Sequence, residues 1–283
     1  MRSGTSLSLI ALVAGGFFAG CADDPAVELD LAADLSVSVD LTVPSPDAAI
    51  TDEDHDGLDD GDELRWAHDY LPFISTSPQD GCTTGGLLVR VTPHPMNDKL
   101  VHIIYDYLYD LDCGLGGHPG DNEVFAITID PRVAPPAGII AMKAISHQRT
   151  ACERTSVCGR CGGLAACETL TKAAVAWPAL WPSRGKHGSY VNRATSCVIG
   201  ATCLDTCEDA ALPTVPQIVN AGEPTHPLVH DLTDEGFITT ANGWKNMQLF
   251  HFDPWKAGAK FGAAGIVATD LTDPSFDTPA CTP

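Results

Sequence analysis

Residues 115–129 read LGGHPGDNEVFAITI, and the second half of that stretch decides the fold. Val124, Ala126 and Thr128 alternate with Phe125, Ile127 and Ile129, the period of two that suits a strand covered on at least one face. Working outward, three further runs read as strands: LLVRVT at 87–92, LVHIIYDYLYD at 100–110 and GIIAMKAIS at 138–146. Turns rich in Gly and Pro separate them, and no strand–helix–strand rhythm joins them. The expected architecture is therefore mainly β: an antiparallel β-sandwich with a disulfide-rich insertion and few short helices.

The first half of the same stretch puts chemistry at the mouth of that strand. Asp121 and Glu123 share a face, and a preceding turn can fold His118 over them, which offers an imidazole and two carboxylates to one cation, Ca²⁺ or Mg²⁺. Asp110 or Asp112 can join from the end of the preceding strand. The plainer alternative is a hydrogen-bond cluster that orders loops. Tyr105, Tyr107 and Tyr109 also share a face, as core or as the wall of a cleft.

A second acidic pattern lies upstream in TDEDHDGLDDGDEL, residues 51–64. Asp52, Asp54, Asp56, Gly57 and Glu63 fit D-x-[DN]-x-[DN]-G-x5-E over its full length. Calcium takes six to eight oxygens, so alternate carboxylates converge on it, Gly57 permits the sharp turn, and Glu63 closes the site. Leu58 would supply its backbone carbonyl, and Asp60 stands at the ninth position. With Leu after Gly and no preceding helix, the loop resembles the calcium loops of thrombospondin type 3 repeats. LRWAHDYLPFI follows, placing Leu64, Trp66, Ala67, Tyr70 and Leu71 on one helical face, ended by Pro72.

The charge is unevenly spread. The net charge is −21, but residues 22–64 hold 15 acids and no Lys or Arg, whereas 65–283 hold 22 acids and 15 bases. No basic cluster suggests a nucleic-acid surface. At the N-terminus a single Arg2 precedes an apolar run and small residues, the layout of an export signal over 1–21. Phe18-Ala19-Gly20-Cys21 resembles a lipobox, which makes Cys21 the expected lipidation site and the membrane a partner through the lipid anchor. Ala22 after the cysteine favours the outer membrane of a bacterial envelope. Residues 22–50, acidic and poor in aromatics, read as a disordered tether ahead of the calcium loop at 51–64 and a β-sandwich domain at 65–283.

Beyond Cys21 ten cysteines remain, an even set that in an exported chain reads as up to five disulfides. Cys158-Gly-Arg-Cys161 leaves a zinc or redox reading open, although zinc ribbons pair two such knuckles. The Cys-, Gly- and Ala-rich stretch at about 148–215 reads as an insertion stapled by disulfides, with a short helix expected over 165–177.

Several short elements, in order, carry a family resemblance. YLYDLDCGLGGHPGDNEVFAITID is similar to the segment around the G-H-x-x-D-x-E motif of two groups, the vacuolar protein sorting-associated protein 62 family and the necrosis- and ethylene-inducing peptide-like proteins. WAHDYLPFI, Ser146-His147, and Pro178-Ala179-Leu180-Trp181 leading to His187-Gly188-Ser189-Tyr190 resemble further elements of the former. The resemblance covers roughly 66–190 and extends to Asn220-Ala221-Gly222-Glu223. It implies a β-sandwich with a surface cleft. In the necrosis-inducing group the matching positions, here Asp110, His118, Asp121 and Glu123, surround a divalent cation needed to bind glycosylated sphingolipids. Gly120 and Asn122 replace a histidine and a tryptophan of that group's motif, which argues against a toxin. His147 and His187 join the cleft on the same resemblance, or else are buried histidines bonded to backbone.

Three functions follow, in this order: a membrane-anchored module binding a glycan or lipid head group through a cation, a structural envelope lipoprotein, and a metal-assisted hydrolase. Catalysis ranks last because Ser146 and Ser189 lie in no G-x-S-x-G elbow and no two-metal signature is present.

Overall fold

The computed structural model describes residues 50–80, 84–114, 117, 119–147, 151–160, 163–193, 197, 205–208 and 217–229. The expected signal, Cys21, nearly all of the tether and His118 lie outside the described residues, as does everything beyond 229.

In chain order the elements are α1 (Asp60–Asp69), β1 (Phe73–Ile74), β2 (Thr84–Pro93), β3 (Val101–Leu111), β4 (Pro119–Ile129), β5 (Ile139–Ser146), β6 (Arg154–Gly159), β7 (Thr169–Lys172), β8 (Val175–Pro182), β9 (Ser189–Tyr190), β10 (Ile218–Asn220), β11 (Gly222–Glu223) and β12 (His226–Pro227). The protein is β-rich, as the alternation requires. All four expected strands form, as β2 to β5.

A six-stranded sheet runs in the order β10-β2-β3-β4-β5-β6. The consecutive strands β2 to β6 pair antiparallel, joined by short connections. A second sheet has the order β1-β8-β7, with β9 also on β8. Two pairings are parallel, β1 with β8 and β10 with β2. Both join segments far apart in sequence, where no hairpin dictates direction. The expected antiparallel pattern thus holds within the consecutive strands and gives way where distant segments are added.

One face of the large sheet makes the main core. Leu87, Val89, Val91, Ile103, Tyr105, Tyr107, Tyr109, Phe125 and Ile127 stand on it, covered by Ala67 and Tyr70 of the α1 region and Leu180 of β8. The three alternating tyrosines therefore belong to the core, and Tyr105 stacks on Phe125 with ring centroids 4.7 Å apart. Its hydroxyl donates to the Ala67 carbonyl at 3.0 Å, which fastens the helix to the sheet. The opposite face carries Arg90, His102, Asp106 and Lys143 among its buried residues.

The helix begins earlier than expected, inside the acidic loop. Asp59 caps it, accepting from the N–H groups of Gly61 and Asp62 at 3.1 Å each. This phase turns Ala67 inward and leaves Leu64 exposed, against the expected face. Glu63, a charged residue, takes a buried position on the helix instead.

The helix expected over 165–177 is replaced by the hairpin of β7 and β8. Leu170 pairs with Trp177 and Lys172 with Val175, across a two-residue turn of Ala173 and Ala174 at φ of 50° and 64°. β-Branched and aromatic residues on the flanks override the alanine content. Within 148–215, β6 closes the edge of the large sheet and β8 centres the second, so this stretch supplies strands to both. Disulfides join Cys158 to Cys167 and Cys197 to Cys207, and Cys113 and Cys152 are disulfide-bonded too. Cys158 therefore serves neither a zinc knuckle nor a redox pair with Cys161.

Candidate functional site

The acidic loop folds around its own backbone. Asp52 accepts from the N–H groups of Asp56 (3.1 Å) and Gly57 (3.2 Å), and Asp56 accepts from Leu58 (2.8 Å). Asp60 accepts from Glu53 at 3.0 Å, and Asp59 from Thr51 at 3.0 Å. Gly57 sits at φ 96°, where a side chain would be strained. The Leu58 side chain packs against the main core.

After these bonds, one oxygen on each of four residues stays buried without a partner among the described residues: Asp54 Oδ2, Asp56 Oδ2, Asp60 Oδ1 and Glu63 Oε1. Their side chains converge. Ligand atoms of Asp52, Asp54 and Asp60 lie within 4.8 Å of one another, and so do those of Asp54, Asp56 and Glu63. Asp54 is 1% exposed and Glu63 0%, so both are shielded from bulk solvent. Burial, and then the Asp56 and Asp54 carboxylates, push Glu63 up to about 9. Burial likewise pushes Asp56 up to about 6, with Asp54 and other nearby acids adding to it. An oxygen-only set of crowded carboxylates fits a hard divalent cation such as Ca²⁺.

A second polar group gathers where β3 and β4 end. Their register sets Tyr109 opposite Asp121 and Tyr107 opposite Glu123. The turn from β8 to β9 folds over them and carries His187, whose ring stacks on Tyr109 with centroids 3.7 Å apart and planes 3° from parallel. His187 Nδ1 lies 2.9 Å from Asp121 Oδ2, and Nε2 lies 3.3 Å from Asp80 Oδ2. The first contact is a hydrogen bond; the second has ion-pair distance without hydrogen-bond alignment. Burial pulls the imidazole pKa down, but the hydrogen bond to Asp121 and the nearby Asp80 carboxylate outweigh it and hold His187 at about 9. A carboxylate beside each nitrogen calls for N–H on both, the imidazolium form.

The same turn is threaded through acids along its length. Lys186 Nζ donates to Asp112 at 2.5 Å, the Gly185 N–H to Asp80 at 3.1 Å, and Arg184 to Gln79 and Glu208 at 2.9 and 3.0 Å. Gly117 lies so close to the Asp112 carbonyl that an added Cβ would stand 2.0 Å from it. Glu123, beside Asp121, is buried, and its Oε2 has no partner among the described residues. Burial, then the Asp121 and Asp205 carboxylates, raise its pKa well above the usual carboxylate range.

His147 belongs to an adjoining cluster. Its Nε2 lies 2.6 Å from Asp205 Oδ2, which also accepts from the Tyr190 hydroxyl. Burial raises the Asp205 carboxyl, but bonds from His147 and Tyr190 win and hold it below its ordinary value. Gly188 joins the two clusters: a Cβ there would be 3.0 Å from Ser146 Cβ and 3.3 Å from Asp205 Oδ2.

Of the residues singled out in the sequence, all the acidic side chains of 52–63 converge, and Asp121, Glu123 and His187 come together at the second site. His147 sits one cluster away. Asp110 lies in β3 by its backbone. Asp121, Glu123 and His187 are not among the triplets close enough to share an ion, which within the described residues both lie in the 52–63 loop. Ser189 Oγ donates to the His187 carbonyl at 3.5 Å and not to its ring. Asp80 and Asp205 were not foreseen. Asp80 is a lone acid in an aperiodic stretch, and Asp205 lies in a Cys-containing run with Glu208 and Asp209, with no spacing to mark either.

No family model matches the chain, and no curated protein matches it. Among solved structures it is similar to one described as "Toxin fold for microbial attack and plant defense", at 13% identity and TM-score 0.31, covering 61% of this chain and 82% of that one. It is also similar to NLPPya in complex with mannosamine, at 12% identity and TM-score 0.29, with 61% and 78% covered. NLPPya in complex with glucosamine gives 13% identity, TM-score 0.30, and 61% and 82% covered. Likeness this low transfers neither ligand nor site, and the resemblance to the vacuolar protein sorting-associated protein 62 family rests on the sequence elements alone.

Proposed function

We propose that this is an exported, lipid-anchored envelope protein whose 52–63 loop holds Ca²⁺ and whose β-sandwich binds a glycan or lipid head group at the acidic end of β3 and β4. The observation that carries the calcium part is the set of four buried carboxylate oxygens without partners, on Asp54, Asp56, Asp60 and Glu63. Leaving a buried polar atom unsatisfied costs about 1–3 kcal/mol, and more for a charged group, so four together mark a place for a cation. The loop ligands are Asp52, Asp54, Asp56, the Leu58 carbonyl, Asp60 and Glu63.

The head-group part rests on Glu123. A carboxyl with an unspent oxygen can accept from a sugar hydroxyl, with Asp121 and the Tyr109 and His187 rings beside it. Lipidation at Cys21 and export by residues 1–21 belong to the same reading, and a second cation, Ca²⁺ or Mg²⁺, would draw on Asp110, His118, Asp121 and Glu123. One observation favours a second reading: the side chains of Asp80, Asp121 and His187 are at most 7% exposed, which suits a cluster that only orders loops.

Calorimetric titration of Ca²⁺ into the oxidised full chain tests the first part; binding that vanishes in Glu63→Gln supports it, and no binding ends it. Glycan arrays and vesicles bearing glycolipid then test the second. Ligand affinity lost in a folded Glu123→Gln variant supports a binding site. A thermal shift with no ligand for either protein leaves the loop-ordering cluster.

A further inference from the structure

The calcium loop is not closed by its own motif. Asn220, at the end of β10, donates from Nδ2 to Glu63 Oε2 at 2.7 Å, which leaves Oε1 as the oxygen free for an ion. Asp54, at the third loop position, accepts from the backbone N–H of Glu223. The Glu223 carboxylate lies near enough to Asp56 to act on it electrostatically, so it adds negative charge beside the same oxygens. Gly222 runs against Asp54, where an added Cβ would lie 3.2 Å from Asp54 Cβ, and the His55 and His226 rings meet at 4.4 Å.

Elsewhere the same segment is held by the sheet edge and the core, where Ile218, Val219 and Ala221 are buried. β10 makes a three-residue parallel pairing at the edge of the large sheet, Ile218 with Leu87 through Asn220 with Val89. Beyond it, Arg90 Nε donates to the Gly222 carbonyl at 2.7 Å and the Ala221 N–H to Val89 at 2.8 Å.

We infer that Asn220 and Glu223 are positioning residues of the calcium site, so that the ion latches residues 217–226 onto the loop and keeps β10 on the sheet edge. The inference rests on the calcium reading above. Groups that bond to metal ligands set their orientation, and removing one typically costs 10–100-fold in metal affinity. Linkage is reciprocal: if docking of 217–226 tightens the ion, the ion tightens docking by the same factor. Calcium would then decide whether the β2 edge, with the Leu87 and Ala221 backbone bonds along it, is covered or open to another strand.

The test combines titration of Ca²⁺ with amide hydrogen exchange on the oxidised full chain. In the wild-type protein, saturating Ca²⁺ slows exchange in 217–226 by 10-fold or more, with little change in β4 and β5. Asn220→Ala weakens Ca²⁺ binding by about 10-fold or more and abolishes most of that protection. Glu223→Gln keeps the backbone donor and shape, so it folds alike and weakens binding through charge alone. If Ca²⁺ binds the wild type but exchange in 217–226 is unchanged, or both variants bind like the wild type, the latch is overturned while the calcium site stands. If no Ca²⁺ binds the folded wild type, the site itself is overturned.

Discussion

Adding 10 mM Ca²⁺ to the chelator-treated, oxidised chain is expected to raise its Tm by about 5–10 °C. Five carboxylates face the site, but Glu63 spends Oε2 on Asn220 and offers the ion one oxygen instead of two. A single loop with an incomplete clamp belongs with weak extracellular sites, on the order of 10⁻⁴ M in Kd. At about 100-fold excess over Kd, binding adds roughly 2.7 kcal/mol. For a folded unit of roughly 150–250 residues each kcal/mol moves Tm by about 2–4 °C.

The increment should also grow with pH. Glu63 is raised from its ordinary 4.5 to about 9, so without calcium the folded state holds a proton that the unfolded state has lost between those values. Stability of the calcium-free protein therefore falls as pH rises through that window, whereas calcium needs the carboxylate ionised and binds more tightly. Scanning calorimetry at pH 5.5, 7 and 8.5, with and without Ca²⁺, reads both effects. A shift under about 1 °C at every pH, or an equal shift in Glu63→Gln, would refute the reasoning.

His187 gives the opposite construction, an internal cation. Its pKa is raised from 6.5 to about 9, so its contribution is full below about 6.5 and fades as pH climbs through 9; denaturant melts with calcium held saturating should show that loss in the wild type and not in His187→Gln. Removing one partner of this buried pair, as in Asp121→Asn, should cost about 3–5 kcal/mol in urea unfolding. Replacing Ala173-Ala174 by Asn-Gly should stabilise the β7–β8 hairpin by roughly 1 kcal/mol, because both positions hold positive φ, and an unchanged or lower Tm would contradict the turn geometry. Tyr105→Phe should lose about 1 kcal/mol by removing the bond to the Ala67 carbonyl, measured by the same unfolding curves.

Much of this protein is written in local pattern. Strict alternation through Val124–Ile129 and in its neighbours can satisfy only a pleated, covered strand, so β2 to β5 were legible without coordinates. The gathering of the acids at 52–63 was legible for a similar reason: the fixed spacing of Asp52, Asp54, Asp56, Asp60 and Glu63 lets one turn bring their carboxylates together. Where local signals conflict, reading failed. Alanines suggested a helix over 165–177, yet pairing with β8 and β1 decides for a hairpin, since sheet contacts outweigh a few tenths of a kcal/mol of propensity per residue.

Long-range partnership belonged to the tertiary structure alone. Nothing near Asp80 in the chain announces His187, 107 positions on, nor does Glu63 announce Asn220, 157 positions away. These contacts come from strands and turns delivered to one place by the sheet order. Local sequence determines what each segment is; which charges then meet depends on how the sheets bring distant segments together, and there the buried His187 and the Asn220 bond to Glu63 were decided.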